Sequence, residues 1–192
     1  STSMVAVLTP SVVLNLVAVA LSGSAVATLD PTLPYRLSAP PFGFSATAVS
    51  AYILGSSLVY VVVSVPIGWV VDSFAGRSAL YKTITACGFL ALGLAFALLA
   101  PLRLPNGVVA GGGASSAPVD RSGLAGSVVW MAVALAIKGV GSALSNNAVY
   151  PDLVLGFPPG DEFIQAQLSA LWNAAYAIGW ALGPMAGGWL YD

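Results

Sequence analysis

Residues 44–71 read FSATAVSAYILGSSLVYVVVSVPIGWVV and contain no charged side chain. A helix advances about 1.5 Å per residue, so about 20 residues cross a hydrocarbon core of about 30 Å, and this stretch is long enough. It is too long for a strand and lacks the apolar–polar alternation of a membrane barrel. Because lipid cannot satisfy open backbone groups, the segment predicts a transmembrane helix.

The rest of the chain repeats this pattern on both sides of that segment. Of its 192 residues, 58% are hydrophobic and only 7% are charged, whereas an ordinary soluble domain carries about 25% charged residues. Charge-free runs cover residues 1–29, 37–71, 83–102, 122–137 and 163–191. We predict five membrane-spanning helices, at residues 9–37, 44–71, 83–102, 126–155 and 165–191. The expected fold class is an all-α polytopic transmembrane bundle whose partner is the lipid bilayer.

Several classes of function conflict with the composition. The chain has no His, and Cys87 is its only cysteine, which removes His-based nucleophile systems, zinc sites and CxxC redox pairs. We therefore expect no enzyme activity, no metal and no cofactor. A net charge of -1 without a basic cluster argues against nucleic acid as a partner, since phosphate neutralisation needs a concentrated basic surface.

The connecting segments are of two kinds. Residues 40–43 (PPFG) and 157–160 (FPPG) predict stiff, ordered turns that end helices. Residues 103–125 are dominated by Gly, Ala, Ser and Val without a period, which predicts a flexible loop. The chain begins at Ser1 and stops at Asp192 directly after an apolar run, so we expect a fragment of a longer protein.

Two ionisable residues lie within the predicted spans. Lys138 is twelve residues into the fourth span, where a charge costs about 2.5–3.5 kcal/mol, so its side chain must face water, a carboxylate or a substrate. By depth, its nearest candidate partner is Asp30. Pro31 and Pro34 interrupt helical hydrogen bonding beside that carboxylate and free carbonyl groups. Asp30 is therefore either a cation or proton site, or a headgroup-level carboxylate that closes the first helix.

Polar side chains recur on single faces of four predicted helices. At about 100° per residue, the members of each face are Ser11, Asn15 and Ser22, with Asp30 in the same broad arc; Tyr52 and Ser56; Lys138, Ser142, Ser145 and Asn146; and Ser169, Asn173, Tyr176 and Trp180. The serines alone could hold helices together. Together with the ionisable groups, we expect these faces to line one aqueous passage.

Small residues recur every fourth position in the fifth span. The spacing Gly179-x3-Gly183-Pro184-x2-Gly187-Gly188 leaves a surface against which another helix can lie closely. It resembles the antiporter motif of the major facilitator superfamily. After the second span, Gly68-x3-Asp72 followed by Gly76-Arg77 resembles the cytoplasmic loop signature of that superfamily, one residue longer and with Ser73 where a basic residue is usual.

Four further segments are similar to the C-terminal half of vesicular amine and polyamine transporters. They are residues 29–34 (LDPTLP), 51–55 (AYILG), 139–151 (from GVG to YP) and 175–184 (AYAIGWALGP). The resemblance implies that the spans are helices seven to eleven of a twelve-helix carrier, with the N-terminal half as a missing partner. It also implies that Asp30 lies in the amine pocket and that Tyr52, Tyr176 and Trp180 line the pathway.

The chain departs from that family at three positions. Vesicular monoamine carriers have carboxylates inside the fourth and fifth of these spans, where this chain has Asn146 or Asn147, and Asn173. An amide does not exchange a proton at physiological pH, so either the proton relay differs or Asp30 carries more of it. Lys138 could hold Asp30 ionised in the empty state, or could indicate an anionic or neutral substrate.

These observations lead to one expected function and one rival. We expect a multi-pass membrane transporter that exchanges protons for a small organic cation by alternating access, in the plasma membrane or a vesicle membrane. The resemblance places the loop from Asp72 to Lys82 in the cytoplasm, an orientation that the positive-inside rule leaves undecided. The rival is a non-transporting, truncated membrane protein that binds partner helices through its glycine faces.

Overall fold

A computed structural model describes residues 8–38, 42–99, 102–103, 109–110, 128–158 and 160–191. The described residues form six helices: α1 (Pro10–Ser38), α2 (Ala46–Ser73), α3 (Ser78–Leu99), α4 (Val128–Asn147), α5 (Val149–Val154) and α6 (Glu162–Tyr191). Two short strands, β1 (Leu102–Arg103) and β2 (Val109–Ala110), pair antiparallel between α3 and α4. The prediction of an all-helical bundle is confirmed for the spans.

Four stretches are helical, long and apolar enough to cross a membrane: Pro10–Tyr35, Ala46–Ser73, Ser78–Leu99 and Val129–Val154. They are compatible with a multi-pass integral membrane protein. The fifth predicted span forms α6, which is the longest helix at 30 residues. It is not among the four because Asn173, the aromatic residues and the glycines lower its mean hydropathy.

The fourth predicted span is broken in two. A turn at Ala148 separates α4 from α5. Pro151 lies in the first turn of α5, and because its ring nitrogen carries no hydrogen, the carbonyl of Asn147 four residues earlier loses its helical donor. The break therefore follows from the sequence Asn147-Ala-Val-Tyr-Pro151.

The other differences concern helix ends. α3 begins at Ser78 rather than Thr83, so Lys82 belongs to the helix. The glycines of both proline-containing turns, Gly43 and Gly160, adopt positive φ, while residues 39–41 and 159 lie outside the described part. Of the predicted loop at 103–125, Arg103 pairs with Val109. Residues 104–108 and 111–127 lie outside the described part, so its flexibility stays a prediction.

Three apolar clusters show that the long helices run up and down. The first joins Leu33 and Leu37 at the end of α1 to Val49 at the start of α2 and Met131 in α4. The second cluster joins the start of α1 to α5 and α6. The third joins the end of α2 to the start of α3 and the end of α4. We call the end of the bundle that holds the turn between α2 and α3 the turn end.

Glycines set the contact between α1 and α6. The residues of α6 whose missing Cβ atoms face carbonyl oxygens of α1 are Gly179, Gly183 and Gly187, which lie against Ala20, Ser24 and Thr28. A Cβ built on Gly187 would be 2.6 Å from the Thr28 carbonyl oxygen. The Thr28 hydroxyl donates to the carbonyl of Gly183 at 3.1 Å. The two backbones therefore touch, as small-residue faces allow.

α4 meets α2 and α3 in the same way. A Cβ on Gly139 would lie 2.6 Å from the carbonyl oxygen of Ser56 in α2. On the other side, Gly141 of α4 faces Gly88 of α3, with 3.0 Å between a Cβ built on Gly141 and the Gly88 carbonyl oxygen. α4 is thus the centre of a three-helix group.

The surface of the bundle is apolar and several of its polar side chains are buried. Val65, Leu90, Met185 and Trp189 are 72–80% exposed, whereas Asn15, Ser22, Ser145 and Asp152 are at most 6% exposed. Exposed apolar area on this scale indicates lipid or a partner surface around the helices.

Two adjacent glycines of α6 offer a matched test of this packing. A Cβ on Gly187 would meet α1, whereas nothing lies within 4 Å of a Cβ on Gly188. We expect Gly187→Ala to unfold more easily than Gly188→Ala, by about 1–3 kcal/mol, because the new methyl group overpacks the contact. Thermal unfolding in detergent measures the difference, and equal stabilities would contradict the close α1–α6 approach.

Candidate functional site

A buried carboxylate joins three helices near the turn end. Asp152 of α5 accepts a hydrogen bond from the Asn15 amide of α1 at 2.9 Å. Its other oxygen accepts one from the Ser78 hydroxyl of α3 at 2.6 Å. Asp152 is 6% exposed, and buried polar groups need such partners. This centre links α1 to the three-helix group.

A second polar cluster lies further along α1. The Ser22 and Ser145 hydroxyls are 2.9 Å apart and hydrogen-bonded, and both side chains are fully buried. The Asn146 amide donates to the Ser22 hydroxyl at 3.1 Å and to the carbonyl of Ser142 at 2.9 Å. The Ser142 hydroxyl and the Asn146 carbonyl oxygen are buried without a partner, so this cluster has unused hydrogen-bonding capacity.

The two ionisable residues singled out in the spans interact with each other. The Asp30 carboxylate of α1 acts electrostatically on the Lys138 ammonium of α4. Asp30 is exposed and Lys138 is half-buried. α1 continues through Pro31 and Pro34 to Ser38, so Asp30 does not close the helix. This electrostatic interaction therefore acts between α1 and α4, away from the turn end.

Aromatic rings form a row on α6. Trp172 and Tyr176 stack with ring centroids 5.4 Å apart, and Trp180 follows 6.1 Å from Tyr176. Tyr150 of α5 meets the edge of Trp172. Trp180 is 40% exposed. Asn173, on the same helix, is exposed, and its amide donates to the carbonyl of Ser169 one turn earlier at 2.8 Å. The structure therefore does not bring Asn173 to Asn146.

Tyr52 lines a cavity of about 360 Å³ between α2 and α4. Its ring stacks on Phe44, with centroids 5.4 Å apart. Small and aliphatic side chains such as Ala51, Ala132 and Leu135 make up most of the wall. The Ser56 hydroxyl, also in the wall, donates to the carbonyl of Leu135 at 3.0 Å. The volume suits a small organic molecule.

The predicted loop signature forms the tight turn between α2 and α3. Gly76 has a φ of 88° and donates its N–H to the Tyr81 hydroxyl at 3.2 Å. The Arg77 guanidinium lies 5.4 Å from the centre of the Phe74 ring, so its contact in this structure is aromatic. Asp72 is exposed and borders a second cavity, of about 400 Å³. Gly68 has no neighbour within 4 Å of a built Cβ.

The structure groups the predicted site residues into separate places. Asp30 and Lys138 interact, Asn146 joins Ser22, and Tyr176 and Trp180 stack; Pro184 lies within α6, which continues past it. Neither of the two cavities is lined by Asp30, Lys138 or Asn173. The single passage predicted for these side chains is therefore not formed by either cavity.

Sequence reasoning missed Asp152, Ser78 and Trp172. A signal for Asp152 was present, because it follows Ser145 by seven residues and so continues the polar face of α4. A signal for Trp172 was also present, four residues before Tyr176 on one helical face. Ser78 gave none, since it stands outside the predicted spans.

Comparison with protein families, with curated proteins and with solved structures finds no match for this chain.

The Asp152 centre can be tested against an exposed carboxylate near the same end. Asp152→Ala leaves the buried Asn15 amide without its acceptor, which costs about 1–3 kcal/mol, and also removes the acceptor of the half-buried Ser78 hydroxyl. Asp72→Ala removes an exposed carboxylate and should change stability by less than about 0.5 kcal/mol. Unfolding in detergent compares them, and equal effects would show that the Asp152 hydrogen bonds do not stabilise the fold.

Proposed function

We propose that this chain is part of a secondary transporter that exchanges protons for a small organic cation by alternating access. The observation that carries the proposal is the interaction of Asp30 with Lys138 between two long apolar helices. Each charge at such a depth costs about 2.5–3.5 kcal/mol on insertion. Ionisable groups that persist there mark substrate or proton pathways in membrane proteins.

Asp30 has the chemistry that the exchange requires. Its exposed carboxylate can hold either a proton or a cationic amine, and the arrival of one favours release of the other. The amides of Asn146 and Asn173 cannot substitute, because they do not exchange protons at physiological pH.

Other groups of the bundle suit a cation that carries an aromatic or aliphatic part. The cavity beside Tyr52, about 360 Å³ in volume, would receive that part, and the exposed Trp180 ring offers a face that attracts cations. A second six-helix half, as in the major facilitator superfamily, would cover the exposed side of Asp30. Asp72 and Arg77 would contact that half on the cytoplasmic side.

The rival function, a truncated protein that binds partner helices, loses part of its support. It relied on glycine faces, and Gly179, Gly183 and Gly187 are covered by α1, whereas Gly188 and the glycines at 55, 68 and 93 have nothing within 4 Å of a built Cβ. The membrane could be that of the cell surface or of a vesicle.

Uptake assays test the proposal. In proteoliposomes containing the complete protein and a pH gradient, we expect uptake of labelled serotonin or spermidine, and we expect Asp30→Asn to abolish it. The matched control is Asp161→Asn, because the Asp161 carboxylate only accepts the N–H of Ile164 at the start of α6, a capping role that asparagine fills equally well. Undiminished uptake by Asp30→Asn would contradict the role of this carboxylate.

A further inference from the structure

Two groups of helices meet along one seam. α1 packs most extensively against α6, and α4 packs most extensively against α3 and α2. Within each group, backbones touch at glycines such as Gly183 and Gly141, so sliding there would drive backbone atoms together. Between α1 and the α4–α5 segment, by contrast, side chains make the hydrogen bonds. We call this α1 to α4–α5 contact the polar seam.

The polar seam has a regular repeat. Asn15 contacts Asp152, and seven residues later in α1 Ser22 contacts Ser145, which is seven residues earlier in the opposing segment. Another seven residues back lies Lys138, which interacts electrostatically with Asp30, eight residues after Ser22. Seven residues of helix are about two turns, or about 10.5 Å. These three contacts therefore extend over about 22 Å along α1, from Asn15 to Asp30.

Polar groups without a hydrogen-bond partner lie about one turn away from the Ser22–Ser145 contact. Ser142 precedes Ser145 by one turn, and its hydroxyl is buried, 5% exposed and unpartnered. The carbonyl oxygen of Asn146, beside it, is also unpartnered. A buried group without a partner calls for an explanation. A second position of Ser22, opposite Ser142, would supply one.

We propose that the α1–α6 pair slides along α4 by three residues, close to one helical turn and about 4.5 Å, toward the end opposite the turn. Ser22 then exchanges Ser145 for Ser142. Asp152 releases Asn15 and keeps Ser78, which belongs to its own side of the polar seam. The slide also moves the apolar contacts at both ends of the seam, which have no preferred direction.

The shift also affects the electrostatic interaction of Asp30 with Lys138. Because Asp30 moves with α1 while Lys138 stays with α4, the slide draws the carboxylate past the ammonium and changes their separation. In this way the position of the polar seam decides whether Asp30 is held by Lys138 or is free for a proton or a cation. This consequence rests on the proposed transport function, whereas the slide itself does not.

Paired cysteines distinguish the two positions. In the complete protein, with Cys87 and any other native cysteines replaced, Ser22→Cys/Ser145→Cys should form a disulfide in the position described here, since the two hydroxyls are 2.9 Å apart. Ser22→Cys/Ser142→Cys should form one only after the slide. Disulfide yield is read on gels in proteoliposomes, with and without a pH gradient and serotonin.

We expect the gradient and serotonin to raise the yield of the 22/142 pair and to lower that of the 22/145 pair. We also expect oxidation of the 22/145 variant to abolish uptake and reduction to restore it, which shows that the variant folds. Absence of the 22/142 disulfide under every condition, or full uptake by the oxidised 22/145 variant, would overturn the slide. A wild-type protein that takes up neither serotonin nor spermidine would instead overturn the transport function, while the 22/142 yield still decides the slide.

Discussion

A polar group that enters hydrocarbon must find its partner inside the protein, and this constraint shapes the whole bundle. It first requires helices, because they satisfy backbone groups within one segment. It then places the polar side chains between helices rather than on the outside, as Asn15, Ser22 and Asp152 show. The apolar side chains that a soluble protein would bury, such as Leu90 and Trp189, face outward instead.

The bundle contains two kinds of helix contact, one between backbones at glycines and one between polar side chains. At Gly183 and Gly187 the backbones of α6 and α1 touch, and dispersion forces act over many atoms at close range. Such an interface has one register. At Ser22 and Ser145 only side chains meet, and each hydrogen bond of this kind contributes about 0.6 kcal/mol in a membrane. Such an interface depends on a few side chains rather than on backbone contact, and both kinds occur along the same helix, α1.

Much of this could be predicted from the sequence, because length and hydropathy act locally. The long helices, the polar face through Asn15 and Ser22, and the nearness of Asp30 to Lys138 all follow from spacing and depth. The rest depends on neighbours that no single segment reveals. Gly187 is covered and Gly188 is open, although the motif contains both. Asn173 shares a face with Trp180 but bonds only to its own helix. The aqueous passage was predicted from the polar face of each helix taken separately. The position of a cavity depends instead on how the helices pack against one another.

The turn between α2 and α3 has a mechanical consequence. Only residues 74–77 separate the two helices, and the Gly76 N–H and the Arg77 guanidinium fasten them to Tyr81 and Phe74. A connection this short keeps the end of α2 close to the start of α3, although the two helices contact α4 separately, at Gly139 and Gly141. Neither helix can therefore move far from α4 at the turn end without drawing the other with it.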